Sequence, residues 1–217
     1  KDAVEHLPGM LAAAGIKDIK LYHMYFGGRR IFEYTDGYTT SVDYHCYRCE
    51  NGATGWTDVT GHSLHEIVSS DKWDIVTIQE HTGRAVAWDW TARQKAAVQG
   101  LVDKVKADCP EKTPDFYFIM SQAYHDMNKI ATADRGQMNF TTTEEMYNVI
   151  VSMTKKLMAD VPFKDVIATG TCLQNLRTSS LNNSMCLTRD GYHMDYGISR
   201  YAAACMMFEK LISPSFD

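Results

Sequence analysis

The sequence predicts an α/β protein in which a mostly parallel sheet is covered by helices on both faces. Three observations carry that expectation. Short apolar runs of strand length alternate along the chain with helical patterns about 10–15 residues long or longer. The 217 residues, 45% of them hydrophobic, suffice for one sizeable core but not comfortably for two. No internal repeat or low-complexity linker divides the chain, so residues 1–217 read as a single domain.

Each element has its own signature. Ala3, Val4, Leu7, Met10, Leu11 and Ala14 form a helical stripe closed by Gly15, with Pro8 marking a kink or an irregular first turn. Residues 19–26 read as a strand that ends at Gly27-Gly28. Residues 29–60 are polar and rich in Tyr and Gly without a sustained period, so they read as a loop excursion with room for a hairpin. Residues 63–68 suggest a short helix with Ser63 as its N-cap. Trp73 to Ile78 is strand-like and leads into Gln79, and residues 91–107 are helical in pattern. Phe116 to Met120 has strand length, and residues 121–123 can continue it. Thr142 opens a helix to Met158, with Glu144 and Glu145 favourably placed in its first turn. Residues 166–168 make a last strand. Residues 198–212 make a last helix, with Ile198, Tyr201, Ala202, Cys205, Phe208 and Ile212 expected on its buried face.

Composition narrows the function classes. A net charge of −5 gives no basic stripe for nucleic acid or an anionic membrane surface. No stretch approaches the ~18 apolar residues of a membrane span. Six cysteines are too few for a disulfide scaffold at this length, and they leave the redox compartment and the pairing of Cys46 with Cys49 open. No cofactor is expected, and the oligomeric state is left open.

In parallel sheets, function collects at the carboxyl ends of the strands. The loops of interest are therefore Gly27-Gly28, residues 79–83, residues 121–126 and the turn Asp190-Gly191-Tyr192-His193. An Asp three residues ahead of a His is a compact way to make a base. The carboxylate fixes one ring nitrogen and leaves the other free to take a proton from a nucleophile.

The ordered set of blocks resembles the SGNH (GDSL-like) hydrolase superfamily, closest to a bacterial branch of it. The matching blocks are Tyr25-Phe26-Gly27-Gly28, Trp73 to Gln79, Thr169-Gly170-Thr171 with Gln174 to Arg177, and Asp190 to His193 with Gly197 to Tyr201. They span nearly the whole chain. The resemblance implies a three-layer α/β/α sandwich of flavodoxin-like type and acyl transfer by a Ser-His-Asp triad. It makes His193 the base, Asp190 its partner, and the amides of Gly27 or Gly28 with the Gln79 side chain the oxyanion donors. Gln79 stands where the superfamily usually has Asn. In that branch the nucleophile sits on a Gly-Asn-Ser-type turn just before the first helix, so the expectation is that the Ser and a first strand lie upstream of Lys1. Export is suggested by the resemblance alone.

His81, Trp88 and His125 are candidate substrate contacts, and the aromatic, polar loops favour a carbohydrate O-acyl ester, acetyl above all, over a lipid. Ser121 follows a strand but lacks a Gly-x-Ser-x-Gly elbow. Two readings compete. Cys46-x-x-Cys49 with His62-x-x-His65 comes close to a zinc-finger spacing, although the His pair is one residue short. A carbohydrate-binding or adaptor domain on the same fold would need no nucleophile.

Overall fold

The computed structural model describes residues 2–86, 92–125 and 140–213. After a 3-10 turn at Asp2–Val4, the elements run α1 (Leu7–Ala13), β1 (Leu21–Tyr25), α2 (Ile31–Asp36), β2 (His45–Cys49) and β3 (Thr57–Asp58). They continue with α3 (Leu64–Val68), β4 (Ile75–Gln79), α4 (Thr82–Ala85), α5 (Ala92–Asp108) and β5 (Asp115–Ile119). The last four are α6 (Thr143–Asp160), β6 (Asp165–Ile167), α7 (Thr169–Arg177) and α8 (Ile198–Leu211).

The protein is a mixed α/β domain whose described strands form two sheets. One is parallel, in the order β4-β5-β6, and the other antiparallel, in the order β1-β2-β3. The excursion over residues 29–60 holds a hairpin, β2 with β3, and adds to the expectation the helix α2 and the antiparallel return of β2 along the whole of β1. In the parallel sheet β5 is central and buried on both sides, which explains its unbroken apolar run. Alternate side chains serve different cores. Phe116 and Phe118 pack with Val98, Leu101 and Val102 of α5, whereas Tyr117 and Ile119 pack with Leu7 and Leu11 of α1 and Ala203 and Met207 of α8.

Local signals explain most boundaries. Pro8 sits in the first turn of α1, where its missing N–H costs nothing, and separates it from the 3-10 turn before. Ser63 accepts the Glu66 amide while the Glu66 carboxylate accepts the Ser63 amide, a reciprocal box that starts α3. Thr142 caps α6 through the Glu145 amide. The short helices α4 and α7 carry no sequence signature of that strength.

The last helix is rotated relative to the expectation. Ser199, Arg200, Ala203, Ala204 and Met207 are its buried residues, while Ile198 and Tyr201 are exposed. Burial of Arg200 is possible because Asp2 and Glu5 receive its guanidinium, and the Ser199 hydroxyl donates to Asp195.

Gly170, at the start of α7, touches the backbone of the chain leaving β5, and a Cβ there would collide with the Ser121 carbonyl group. Gly170→Ala is expected to destabilise the fold by about 1–3 kcal/mol. Chemical denaturation of the two proteins measures the difference.

Candidate functional site

The late turn is held from every side. Thr188 and Met194 form an isolated antiparallel bridge, the Arg189 amide donates to the His193 carbonyl at 3.0 Å, and Gly191 takes φ +86°, which suits glycine. The Asp190 carboxylate then accepts three times. The amides of Tyr192 and His193 bond Oδ1 at 3.0 and 2.8 Å, and the His193 ring nitrogen Nδ1 lies 2.6 Å from Oδ2. Burial raises the pKa of this carboxyl, but the backbone and ring of His193 with the Tyr192 amide outweigh it and bring it down to about 2. A carboxylate bound at Nδ1 places the proton there and leaves Nε2 as the basic nitrogen.

His193 shares a cleft of about 550 Å³ with Gly27, Gly28, Gln79 and His81. The structure thus gathers five of the residues singled out in the sequence around one space, with Asp190 behind the imidazole. Gly28 has φ +78°, as the tight turn after β1 requires. That turn is anchored by Tyr34 of α2, whose hydroxyl oxygen accepts the Phe26 amide at 2.8 Å. Across the cleft, the Gln79 side chain donates to Ser121 Oγ at 3.3 Å, and the Ser121 hydroxyl donates to the Glu80 carbonyl at 3.0 Å. Ser121 is 1% exposed and committed to this relay, which removes it as a nucleophile. His81 opens onto the cleft. Enclosure there, then the charges of Arg84, Arg30 and His193, lower its basicity and favour a neutral imidazole.

His125 does not face the cleft. It is buried behind the turn, where its amide donates to the Gly191 carbonyl at 3.0 Å. Trp88 lies outside the described residues. Cys46 and Cys49 are buried free thiols three apart on β2, so their side chains leave opposite faces. His65 pairs with Asp108 at 3.1 Å, and among the described residues no cluster of three or more His, Cys, Asp or Glu gathers to hold a metal.

Three supporting residues escaped the sequence reading. Glu80 is 2% exposed, accepts the His81 amide at 2.7 Å and the Ile31 amide at 3.3 Å, and is pushed up to about 7 by burial. Arg177 of α7 donates to the carbonyls of Ala123 and Cys186 at 2.8 and 3.1 Å, tying the β5 exit to the loop before the late turn. Asp2 accepts from both Arg189 and Arg200. Only a buried acid beside a strand end hints at such roles in a sequence, and Glu80 alone fits that description.

The domain is thus a mixed α/β protein with an aspartate-held imidazole on the lip of a cleft. It belongs to the DUF4886 family, a domain of unknown function: the family profile matches residues 1–216. The fold is similar to the crystal structure of a DUF4886 family protein from Bacteroides uniformis, with 26% identity and a TM-score of 0.83 over 98% of this chain and 78% of that one. No curated protein sequence matches it.

The two perturbed carboxyls make stability depend on pH with opposite signs. Asp190 lies below its ordinary value of 3.8, so its contribution is complete above that pH and is lost as pH falls toward about 2. Glu80 lies above its ordinary 4.5, so its contribution is complete below that pH and is lost as pH rises through about 7. Denaturation across pH 2–8 is expected to show the wild-type advantage over Asp190→Asn shrinking on the acid side. The stability of wild type relative to Glu80→Gln is expected to fall from pH ~4.5 to ~7.

Proposed function

We propose that the protein is a serine ester hydrolase of SGNH type, built as a three-layer α/β/α sandwich. The observation that carries the reading is the 2.6 Å contact of Asp190 with His193 Nδ1, on a cleft that also presents Gly27, Gly28 and Gln79. A base with a fixed tautomer on one side and amide donors on the other is the division of labour that acyl transfer needs.

The nucleophile in this reading is a serine in the chain preceding Lys1. The cleft supports that assignment by its position. It runs between β1 and β4, the end strands of the two sheets, and is lined along its length by residues of both. Neither strand has a ladder partner on that side among the described residues. A strand laid there would join the two sheets into one and bring its carboxyl end toward His193.

In the chemical step, His193 Nε2 takes the serine proton as the oxygen attacks the ester carbonyl. The resulting oxyanion is met by a Gly27 or Gly28 amide and the Gln79 side chain, and the imidazolium is stabilised by Asp190. The oxyanion then collapses, the bond from its carbon to the alcohol oxygen breaks, and the same proton passes from His193 to the departing alcohol, leaving the acyl–serine. Water, deprotonated by His193, then releases the acid and restores the serine.

A carbohydrate O-acyl ester, acetyl above all, is the substrate class we favour. His23 and Tyr25, which line the cleft, continue onto His45 and Tyr47, and the planes of these four rings lie between 13° and 27° of parallel. Such a half-exposed, polar-edged surface suits a sugar better than an acyl chain.

The test is hydrolysis of p-nitrophenyl acetate and of acetylated oligosaccharides by the full-length gene product. His193→Ala is expected to lower kcat by about 10³-fold or more. Unchanged turnover in that variant would sink the assignment of the base. A folded, full-length protein that binds acetylated glycans without cleaving them would instead identify a carbohydrate-binding domain on the same fold.

A further inference from the structure

Glu80 takes no part in the proton transfers above, yet it is a carboxyl group 2% exposed at the floor of the same cleft. Its contacts join the two segments that carry the oxyanion donors. On one side its carboxylate accepts the Ile31 amide at 3.3 Å. Ile31 opens α2, and α2 holds the Gly27-Gly28 turn through Tyr34 and the Phe26 amide. The neighbouring amide of Arg30 is taken by Glu33 at 2.9 Å, so the start of α2 is satisfied by two acids. On the other side Glu80 accepts the His81 amide at 2.7 Å, and its own carbonyl receives Ser121, which in turn receives the Gln79 amide.

We infer that Glu80 is a positioning residue that clamps the Gly27-Gly28 turn and the Gln79 side chain into one frame, so that donors from two separate strands converge on one oxygen. The inference rests on the esterase reading for its consequence, but the clamp itself can be observed without catalysis. Two donors on different loops share a target only if the distance between the loops is set, and a shift of about 1 Å costs about a hundredfold in rate. A carboxylate suits the task because it accepts from both loops at once. Both amides meet the same oxygen, Oε1, which glutamine would retain, so the substitution that removes the clamp is one without an acceptor, such as leucine. The charges around the group are Arg84 and Arg30, with the His81 amide beside it and the Tyr34 phenol on α2. None of them replaces its contact with Ile31.

The experiment compares wild type, Glu80→Leu and Tyr34→Phe, which breaks the chain of contacts at its far end. The full-length protein is used throughout. Amide hydrogen exchange is followed at Phe26, Ile31 and His81, and p-nitrophenyl acetate hydrolysis is measured alongside. Faster exchange at Ile31 and His81 in Glu80→Leu is expected, with kcat lowered about ten- to a hundredfold and KM unchanged. Tyr34→Phe is expected to speed exchange at Phe26 and lower kcat in the same way. Unaltered exchange at these amides overturns the clamp whether or not the protein is an esterase. Altered exchange with unaltered kcat in both variants overturns its positioning role. If wild type hydrolyses no ester, the esterase reading fails, and the exchange data still decide the clamp.

Discussion

Residues 120–125 run through the interior without forming helix or strand, and every one of them is buried. Buried backbone must find partners for its polar groups, and here the partners come from β6, α6, α7 and the late turn. Met120 bonds Ile167 of β6 and receives Thr169 and Gly170 of α7. Ala123 receives Arg177, Tyr124 receives Thr143 of α6, and the Tyr124 amide meets the Met146 sulfur. The Gln122 side chain and the His125 amide donate to the Tyr192 and Gly191 carbonyls of the late turn. An irregular segment satisfied in this way becomes the hub of the molecule. Moving it would disturb the parallel sheet, two helices and the imidazole together.

The chemistry of the cleft follows from that rigidity. The late turn is far in sequence from the strand ends it faces, yet Gln122, Tyr124 and His125 fix it from behind, with the Tyr124 and Tyr192 rings edge to face at 4.8 Å. Asp190 uses one carboxylate oxygen to close the turn on the Tyr192 and His193 amides and the other to orient the ring. The opposite wall is held by the Gln79–Ser121–Glu80 relay. The base and the amide donors thus stand on separate walls that meet at the same buried segment.

Much of this was legible in the sequence, for identifiable reasons. Strand β5 and helix α6 announce themselves because their patterns are set by local burial and by the Thr142 cap. Asp190 and His193 could be paired because they lie within one turn, where spacing alone determines contact. Helix α2 was not legible: much of its anchoring comes from Glu80, Ala97 and Phe26, contacts that leave no periodic trace. The buried face of α8 was misjudged because hydrophobic periodicity treats an arginine as a surface residue, whereas Arg200 is buried against two acids from the other end of the chain. Gln79 was found as a donor, but its commitment to Ser121 depends on a contact 42 residues away. His125 was read as a cleft residue because proximity to a strand end does not say which way a side chain points.

Asp2 contacts Arg189 and Arg200 across separations of 187 and 198 residues. Closing so long a loop carries an entropy cost that local contacts do not. During synthesis Asp2 waits for Arg200 of α8 to leave the ribosome. Until then, Arg189 and the imidazole turn beside it lack their carboxylate anchor. A chain cut short before α8 would have made β4, β5 and most of the cleft, yet still hold His193 on a loose end. The bonds from Asp2 to these two arginines make the completion of the site wait for α8.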